Sequence, residues 1–401
     1  MKKSLLFLAL FATISTAYAN IQSITAISEP TSYGQKVTAV ELKYDVAPSQ
    51  VGVSQFAVEG RTIISAQRDS NGVRLTLSAD DANAGVTMQP AARQPSVERD
   101  TTLTVKQLVP LKDEQGKTIP TFEKKSEKTV NLVADDFRQL EFKDANGVVV
   151  KYNLFVPKNY DPKKSYPLVM FIHDAGATNV NVKNTLWQGN GATVWASPEW
   201  QEKHPAFVLA PQFDHVIVND QSDDPADLDA TINLIKSLTK EYNIDTKRLY
   251  TTGQSGGAMM SIAMNIKYPD FFAASYIVAG QWAAEKTAPM AKNKFFIFVS
   301  EDDPKAYPGQ NAIVDVLAKN GAVVQKAVLS NGNATEAEHN AEVKALLAKE
   351  GNIHYMAVRS KTLPDQVKEP NSTNKGQAHI GTWKISYNIE AIREWLFAQS
   401  K

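Results

Sequence analysis

The chain has 401 residues, of which 43% are hydrophobic and 21% are charged, and it contains no cysteine. Its 43 Lys and Arg residues balance its 43 Asp and Glu residues, so the formal net charge is zero. This composition argues against intrinsic disorder, excludes disulfides and thiolate metal sites, and lacks the basic excess typical of nucleic-acid-binding proteins. A chain of this length usually exceeds one hydrophobic core, and we therefore expect two domains.

Residues 1–19 have the pattern of a secretory signal peptide. Lys2 and Lys3 precede an apolar run from residue 5 to residue 14, and the segment 17–19 reads Ala-Tyr-Ala, which suits a signal peptidase. An N-terminal membrane anchor is the alternative, but the run is too short to span about 30 Å of hydrocarbon. We expect cleavage after Ala19 and a secreted or periplasmic protein with no later membrane span.

Residues 20–135 are predicted to form a small all-β domain. Short runs rich in Val, Ile, Thr and Leu alternate with polar residues and are separated by turn signals. Alternation of this kind, with turns at short intervals, predicts a β-sandwich. The predicted strands cover residues 37–44, 61–67, 73–78, 101–108 and 128–133.

Residues 136–401 are predicted to form an α/β domain. Strands that alternate with helices along the chain indicate a doubly wound, mostly parallel sheet that is covered on both faces. The predicted strands cover residues 148–156, 167–172, 207–210, 248–252, 274–278 and 295–299, and the predicted helices cover about 225–242, 258–266, 310–319 and 385–397.

Residues 253–257 read Gly-Gln-Ser-Gly-Gly and match the G-x-S-x-G pattern of a nucleophile elbow. The match follows a predicted strand and opens a predicted helix, which is the setting that the motif requires. Glycine at 253 and 257 removes Cβ atoms that would collide with the neighbouring strand and helix. Ser255 is therefore the predicted nucleophile, and an ordinary glycine-rich turn is the alternative.

A serine nucleophile needs a base, and the base needs an acid that orients it. In α/β-hydrolases the chain order is Ser, acid, His, so the base follows Ser255. His339 lies in a segment typical of a solvated helix face, His354 lies in a predicted strand, and His379 lies in a predicted loop before the last helix. We assign His379, because a base that moves between serine and leaving group is expected on a loop.

The acid is expected just after the next-to-last core strand, which we take to be residues 295–299. Asp303 is preferred to Asp302, because Pro304 would fix the turn that presents its carboxylate. A solvated acidic turn is one alternative. A calcium loop is another, although calcium ligands normally recur at alternate positions over a longer loop.

Two backbone N–H groups should face the oxyanion of the tetrahedral intermediate. We assign the N–H groups of Gly256 and Ala175, and we give His173 a supporting role in the loop that carries Ala175. Pocket residues are expected after strand ends or in the long loop 178–204. The residues chosen on this basis are Gln212, Gln281, Trp282 and Trp195, with simple packing as the alternative for each Trp.

With these residues in place, the chain resembles an α/β-hydrolase esterase family that is related to polyhydroxybutyrate depolymerases and is often labelled as peptidases. The resemblance implies hydrolysis of acyl esters and an immunoglobulin-like sandwich before the catalytic domain. Asp174 and Gly256 depart from the family pattern, which has Gly and Met there, and Asp174 is expected to reshape the oxyanion hole or to lower activity. Residues 330–351 look like an inserted helix. The resemblance rests on residues 33–40, 191–196, 204–212, 268–274, 279–282 and 303–309, and on His379, Thr382, Trp383 and Tyr387.

The sequence therefore predicts a secreted serine esterase that needs no cofactor and no metal. Its expected substrate is a small-molecule or polymer-linked ester. No nucleic-acid partner is expected, and whether the protein forms a homo-oligomer is left open. A serine peptidase of the same fold would use the same residues. The other alternative is a non-catalytic module that binds a surface polymer; Asp174 favours it, whereas the intact order of Ser255, Asp303 and His379 argues against it.

Overall fold

The computed structural model describes residues 20–70, 72–91, 94–374 and 376–401. The predicted signal peptide lies outside the described residues. The chain divides into two compact units: the described part of Met1–Ile27 joins Val37–Ala84 and Thr101–Val130, and Ser28–Lys36 joins Gly85–Asp100 and Asn131–Lys401. Over the described residues, no helix combines the length and the hydropathy that a membrane crossing requires.

The N-terminal region is rich in β-structure, as the alternating sequence predicts. In β2 the side chains of Leu42 and Tyr44 are buried, whereas Glu41 and Lys43 point to solvent, so one face of the strand is apolar. An immunoglobulin-like topology stays a prediction. The strands are β1 (Ile21–Thr31), β2 (Gly34–Tyr44), β3 (Phe56–Val58), β4 (Ile63–Asp69), β5 (Gly72–Leu77), β6 (Thr87–Met88), β7 (Val97–Glu98), β8 (Thr104–Gln107), β9 (Leu111–Lys112), β10 (Thr118–Ile119), β11 (Phe122–Lys125) and β12 (Lys128–Asn131).

These strands form a five-stranded sheet in the order β12-β1-β2-β5-β4, a three-stranded sheet in the order β11-β8-β3, and two short ribbons, β9 with β10 and β6 with β7. The pairing of β2 with β5 and of β4 with β5 is antiparallel. Leu42 stands opposite Val73 and Val40 opposite Leu75, and all four side chains are buried. Cross-strand pairs of this kind stabilise a sheet through apolar burial.

The C-terminal part contains one nine-stranded sheet in the order β13-β14-β16-β15-β17-β18-β19-β21-β20. The pairs β13–β14 and β14–β16 are antiparallel and the others are parallel. This confirms the predicted α/β class with a mostly parallel sheet. The strands are β13 (Arg138–Lys143), β14 (Val149–Phe155), β15 (Tyr166–Ile172), β16 (Phe207–Gln212), β17 (Ile244–Gln254), β18 (Ala274–Val278), β19 (Phe295–Ser300), β20 (Val324–Leu329) and β21 (Ile353–Val358).

Every residue of β15, β16, β18, β19 and β21 is buried, which shows that both faces of the central sheet are covered. Helix α3 turns an apolar stripe inward that includes Ile232, Ile235 and Leu238. The helices are α1 (Asn184–Trp187), α2 (Pro198–Lys203), α3 (Leu228–Glu241), α4 (Gly256–Lys267), α5 (Ala306–Lys319), α6 (Glu336–Leu347), α7 (Pro364–Lys368), α8 (Gln377–Ser386) and α9 (Glu390–Phe397).

Two predictions about the C-terminal part were wrong. The expected single last helix is two helices, α8 and α9, separated by a turn in which the backbone N–H of Asn388 donates to the carbonyl of Ile385. Strand β19 is not the next-to-last strand, because β20 and β21 follow it. β21 contains the strand predicted around His354, whereas β20 was not predicted, because it is a polar edge strand with only Leu329 fully buried.

Candidate active site

The predicted elbow is a strand–turn–helix junction. β17 ends at Gln254, α4 begins at Gly256, and Ser255 between them has φ 50° and ψ −117°, a sparsely populated conformation for a residue with a side chain. A Cβ on Gly257 would lie 1.9 Å from the carbonyl oxygen of Ile172, and one on Gly253 would lie 2.4 Å from the carbonyl carbon of Gly257. The backbone approach that exposes the serine therefore requires glycine at both positions.

We expect Gly257→Ala to lower the free energy of unfolding by about 3 kcal/mol or to prevent folding, because the methyl group overlaps a backbone atom of the central sheet. Urea unfolding of the purified variant measures the change. Gly52→Ala is the matched control, since a Cβ there meets nothing within 4 Å. Equal stability of the two variants would contradict the steric argument.

The structure brings three of the predicted residues together. His379 Nε2 lies 2.8 Å from Ser255 Oγ, and His379 Nδ1 lies 2.5 Å from Asp303 Oδ2. The Asp303 side chain is 1% exposed and the His379 side chain 26% exposed, so the acid is shielded while the imidazole reaches the surface of the cavity. Hydroxyl, imidazole and carboxylate thus form one continuous chain of hydrogen bonds.

The Asp303 carboxylate is held ionised by its surroundings. Burial raises its pKa, but the hydrogen bond and charge of His379, together with the backbone N–H groups of Ala306 and Lys305, outweigh this effect, and the pKa falls below its usual value. Those N–H groups donate to Asp303 Oδ1 at 2.9 and 3.1 Å. The second carboxylate oxygen is thereby left to accept from His379 Nδ1–H.

His379 lies in the first turn of α8 and not in a loop, which corrects the prediction. The two glycines, Gly376 and Gly381, favoured the prediction of a loop. Gly381 lies inside the helix, however, where a Cβ would come within 3.2 Å of Leu363. The helix also explains how the imidazole is held. Trp383, one turn further on, packs edge-on against it with ring centroids 4.9 Å apart. Trp383 was not assigned a site role from the sequence.

The other two histidines have structural partners. His339 is buried, contrary to the predicted solvated face, because its Nε2 contacts the carbonyl of Asn331 at 2.9 Å. His354 lies in β21 as predicted, where it stacks on Phe296 and contacts the carbonyl of Lys349. Burial lowers the pKa of His354 below its usual value.

The Asp302 carboxylate is hydrogen-bonded to the neighbouring segment 360–366. It accepts hydrogen bonds from Ser360 Oγ at 2.7 Å, the backbone N–H of Lys361 at 2.7 Å and Gln366 Nε2 at 2.9 Å. This carboxylate therefore braces residues 360–366, whereas its neighbour Asp303 contacts the imidazole.

We expect Asp303→Asn to lower kcat by about 10³–10⁴, because an amide at this position stabilises neither the required imidazole tautomer nor its cation. Asp302→Asn is the matched control; it keeps the volume and should change kcat by no more than about threefold, at some cost in stability. Steady-state kinetics on a p-nitrophenyl ester measures both. A larger kcat loss in the Asp302 variant would reverse the assignment of the acid.

The two proposed oxyanion donors are neighbours. Ala175 opens a single 3-10 turn, Ala175–Ala177, after β15, and a Cβ on Gly256 would lie 3.6 Å from the backbone nitrogen of Ala175. The backbone at position 256 and the N–H of Ala175 are thus close together. The same hypothetical Cβ would lie 3.3 Å from Val218 Cγ2, so Gly256 also widens the adjoining space.

A cavity of about 670 Å³ opens above Ser255 and is the space in which a substrate would lie. Part of its lining is apolar and includes Val216, Val218 and Met259. Another part is polar, where Asp220 accepts from Lys305 Nζ at 2.5 Å and from Gln281 Nε2 at 3.2 Å. Ala175, Gly256 and His379 also line it, so the cavity holds the proposed nucleophile, base and oxyanion donors.

Of the four predicted pocket residues, only Gln281 lines this cavity. Gln212 is buried beneath it and is used internally, accepting from the N–H of Thr185 and donating to the carbonyl of Ala177. Trp195 is fully buried, stacks on Phe397 and donates its indole N–H to the carbonyl of Gly191. Trp282 is buried as well and does not line the cavity. The packing alternative is correct for both Trp residues, and the predicted pocket position of Gln212 is wrong.

The sequence reasoning missed the segment 216–221, which supplies Val216, Val218, Asn219, Asp220 and Gln221 to the cavity. A usable signal was its length, because a long connection without regular structure after a central strand often forms a binding loop. In the described part of the chain, no group of three or more His, Asp or Glu side chains has the arrangement of a metal site.

The mostly parallel sheet with a serine elbow, and a histidine and an aspartate hydrogen-bonded in series to that serine, define the α/β-hydrolase class. The family model described as Esterase PHB depolymerase matches residues 217–359. A solved structure described as a thermostable esterase is 28% identical and superposes with a TM-score of 0.79 over 95% of this chain and 100% of its own. The fold is therefore that of an α/β-hydrolase, and residues 217–359 of the chain are similar to an esterase family.

The chain also has short similarities to curated esterases. A probable acetylxylan esterase A of Aspergillus flavus is 46% identical over 48 residues, which is 12% of this chain and 16% of that protein. Acetylxylan esterase A of Aspergillus oryzae is 44% identical over 48 residues, with the same coverage of both chains. The match thus spans about a sixth of the length of these relatives.

Proposed function

We propose that this protein is a secreted serine esterase that hydrolyses acyl esters through an acyl-enzyme. The observation that carries the proposal is the hydrogen-bonded series of Ser255 Oγ, the His379 ring and the Asp303 carboxylate at 2.8 and 2.5 Å. The similarity of residues 217–359 to the Esterase PHB depolymerase family and the likeness to a solved thermostable esterase support the ester specificity. The pattern of residues 1–19 supports secretion.

In the proposed first step, His379 Nε2 takes the proton of the Ser255 hydroxyl while Oγ attacks the ester carbonyl carbon. The carbonyl π electrons move to oxygen, and the N–H groups of Ala175 and Gly256 donate to the resulting oxyanion. When the oxyanion collapses, His379 gives its proton to the alkoxide leaving group and the acyl group remains on Ser255. Water then repeats the sequence, with His379 again as base, and releases the acid.

Asp303 makes this proton movement favourable. Its ionised carboxylate accepts from Nδ1–H, which leaves Nε2 with the lone pair that the serine proton needs, and it stabilises the imidazolium that forms. The side chain is shielded from water, so the charge interaction is stronger than it would be at the surface. Each oxyanion donor contributes about 10²–10³ in rate, because it is already aimed at the developing charge.

The cavity supports a substrate with an apolar acyl group. Val216, Val218 and Met259 offer apolar contact in the cavity that contains the nucleophile, and Asp220, Lys305 and Gln281 supply polar groups to its lining. The expected substrate is a small-molecule or polymer-linked ester whose acyl chain contacts the apolar residues.

Two measurements test the proposal. A panel of p-nitrophenyl esters of increasing acyl length is compared with short peptide amides, and we expect ester hydrolysis without peptide cleavage. A fluorophosphonate, which phosphonylates activated serines, should label the protein on the tryptic peptide that contains Ser255, as located by mass spectrometry. Peptide cleavage without ester cleavage would favour the peptidase, and an unlabelled, inactive protein would favour the binding module.

A further inference from the structure

The loop of residues 174–177, here called the oxyanion loop, supplies the Ala175 N–H in the proposed mechanism. Ala175 and Gly176 are exposed, and the loop is a single 3-10 turn, so little packing holds it in place. A displacement of about 1 Å at a reacting group can lower a rate by about 10². The position of this loop relative to Ser255 therefore needs a specific restraint.

One restraint fixes the peptide plane that carries the donor. His173 is buried, and its Nε2 accepts from the backbone N–H of Phe213 at 3.0 Å, which places the ring proton on Nδ1. Nδ1–H then donates to the carbonyl of Asp174 at 2.7 Å. Because the peptide unit is planar and trans, holding the Asp174 carbonyl aims the Ala175 N–H in the opposite direction. This contact sets the orientation of the donor, but it does not tie the loop to the strand end that carries Ser255.

The Asp174 carboxylate provides that tie. Oδ1 accepts from the backbone N–H of Gly176 at 2.7 Å, and Oδ2 accepts from Gln254 Nε2 at 2.9 Å. Gln254 is buried and directly precedes Ser255 at the end of β17. A Cβ on Gly176 would lie 2.8 Å from Asp174 Oδ1, so the turn is closed around the carboxylate. One side chain therefore joins the oxyanion loop to the nucleophile elbow.

We infer that Asp174 and Gln254 form a positioning pair that sets the distance between the Ala175 N–H and Ser255 Oγ; this inference rests on the proposed function. Both carboxylate oxygens are used in the two hydrogen bonds, so Asp174 acts through the loop and not on the reacting atoms. Hydrogen bonds to a charged acceptor are stronger than neutral ones, which suits a restraint on an exposed loop. Asp174 thus strengthens the oxyanion hole, contrary to the expectation from sequence that it lowers activity.

The test compares Asp174→Ala, Gln254→Met and the double variant on a p-nitrophenyl ester. We expect each single variant to lower kcat by about 10–100-fold with KM changed by less than about threefold, because the oxyanion forms only after binding. The double variant should be no more than about threefold slower than the slower single variant, since either change breaks the same link. In Asp174→Asn the amide oxygen can still accept from the N–H of Gly176. The amide nitrogen can donate to Gln254 Oε1 after the Gln254 amide has rotated by 180°, so both hydrogen bonds are kept and kcat should stay within about fivefold of the wild-type value.

Asp161→Ala is the matched control. Asp161 Oδ1 accepts from the backbone N–H of Lys163 at 2.9 Å, the same two-residue turn as at Asp174, in the connection that precedes β15. The second readout is a trifluoromethyl ketone, which forms a tetrahedral oxyanion adduct with an active-site serine, alongside the methyl ketone of the same chain. We expect its inhibition constant to rise by the factor by which kcat falls, with methyl ketone binding unchanged.

The inference is overturned if kcat falls while trifluoromethyl ketone affinity is kept, if Asp161→Ala is as slow as Asp174→Ala, or if the single losses multiply in the double variant. Thermal unfolding of each variant shows whether it is folded. Should Asp174→Ala fail to fold, Gln254→Met breaks the link from the other side and decides by the same criteria. A wild-type protein that neither hydrolyses esters nor binds the trifluoromethyl ketone would instead contradict the proposed function.

Discussion

Ser255→Ala is expected to lower kcat by about 10⁴–10⁶, because the side chain that attacks the substrate is removed. The methyl group cannot attack a carbonyl, so the acyl-enzyme route is closed. What remains is the contribution of the oxyanion donors and of binding, which in related triads leaves about 10³–10⁴ over the uncatalysed reaction. KM should change little, because alanine keeps the shape of the elbow.

The fold should survive this change. Ser255 already holds its backbone at φ 50°, and alanine has the same Cβ, so the variant adds no new backbone strain. The side chain loses one hydrogen bond, to His379, at the edge of a cavity that water can enter. Ser330→Ala is the matched control, because the Ser330 hydroxyl donates to Glu342 at 2.6 Å on an exposed turn. Kinetics, thermal unfolding and fluorophosphonate labelling are measured on both, and turnover by the Ser255 variant at the rate of the control would reject Ser255 as nucleophile.

The central sheet and the chemistry at its edge could be read from the sequence because they rest on local patterns. Gly253 and Gly257 are dictated by backbone approach within one turn, and β17, which leads into this turn, is buried from residue 249 to residue 254. The chain order of serine, acid and histidine then restricts the acid and the base to residues after Ser255. Asp303 was chosen because Pro304 follows it, and His379 because of a predicted loop that proved to be the first turn of a helix. These predictions succeed where a steric or topological rule leaves few choices.

The cavity lining could not be read in this way. A residue that follows a strand lies at the edge of the sheet where the site forms, but its rotamer decides whether its side chain points into the cavity or away from it. The Gln212 side chain points inward because its amide accepts a hydrogen bond from the N–H of Thr185 and donates one to the carbonyl of Ala177. Trp195 turns inward because Phe397, from the far end of the chain, stacks on it. Such long-range partners leave no local signal.

The segment 216–221 is the converse case, because its residues line the cavity although the sequence did not predict them there. Val216 and Val218 look like surface residues of an irregular connection, yet they line the cavity. Their position depends on contacts of Asp220 with Lys305 and Gln281, both more than 60 residues away. Hydrophobic periodicity carries no information about a loop whose conformation is set by ion pairs and turns.

His379→Ala is expected to lower kcat by about 10⁴–10⁶, similar to the loss at Ser255, because the two side chains act as a unit. Without the imidazole the Ser255 hydroxyl keeps its proton, and the leaving group receives none. Asp303 is then left buried with one of its charge partners removed, which adds a modest loss of stability. Steady-state kinetics on a p-nitrophenyl ester measures the loss, and thermal unfolding separates it from misfolding.

His339→Ala and His354→Ala are the matched controls. Each removes a buried imidazole with a backbone carbonyl partner, so each should cost stability, while kcat per folded molecule stays within about threefold. Added imidazole gives a further readout: it can enter the cavity that truncation at 379 enlarges, and it should restore part of the activity of that variant alone. Equal losses of kcat in all three variants, or equal rescue of all three by imidazole, would show that His379 is not the base that activates Ser255.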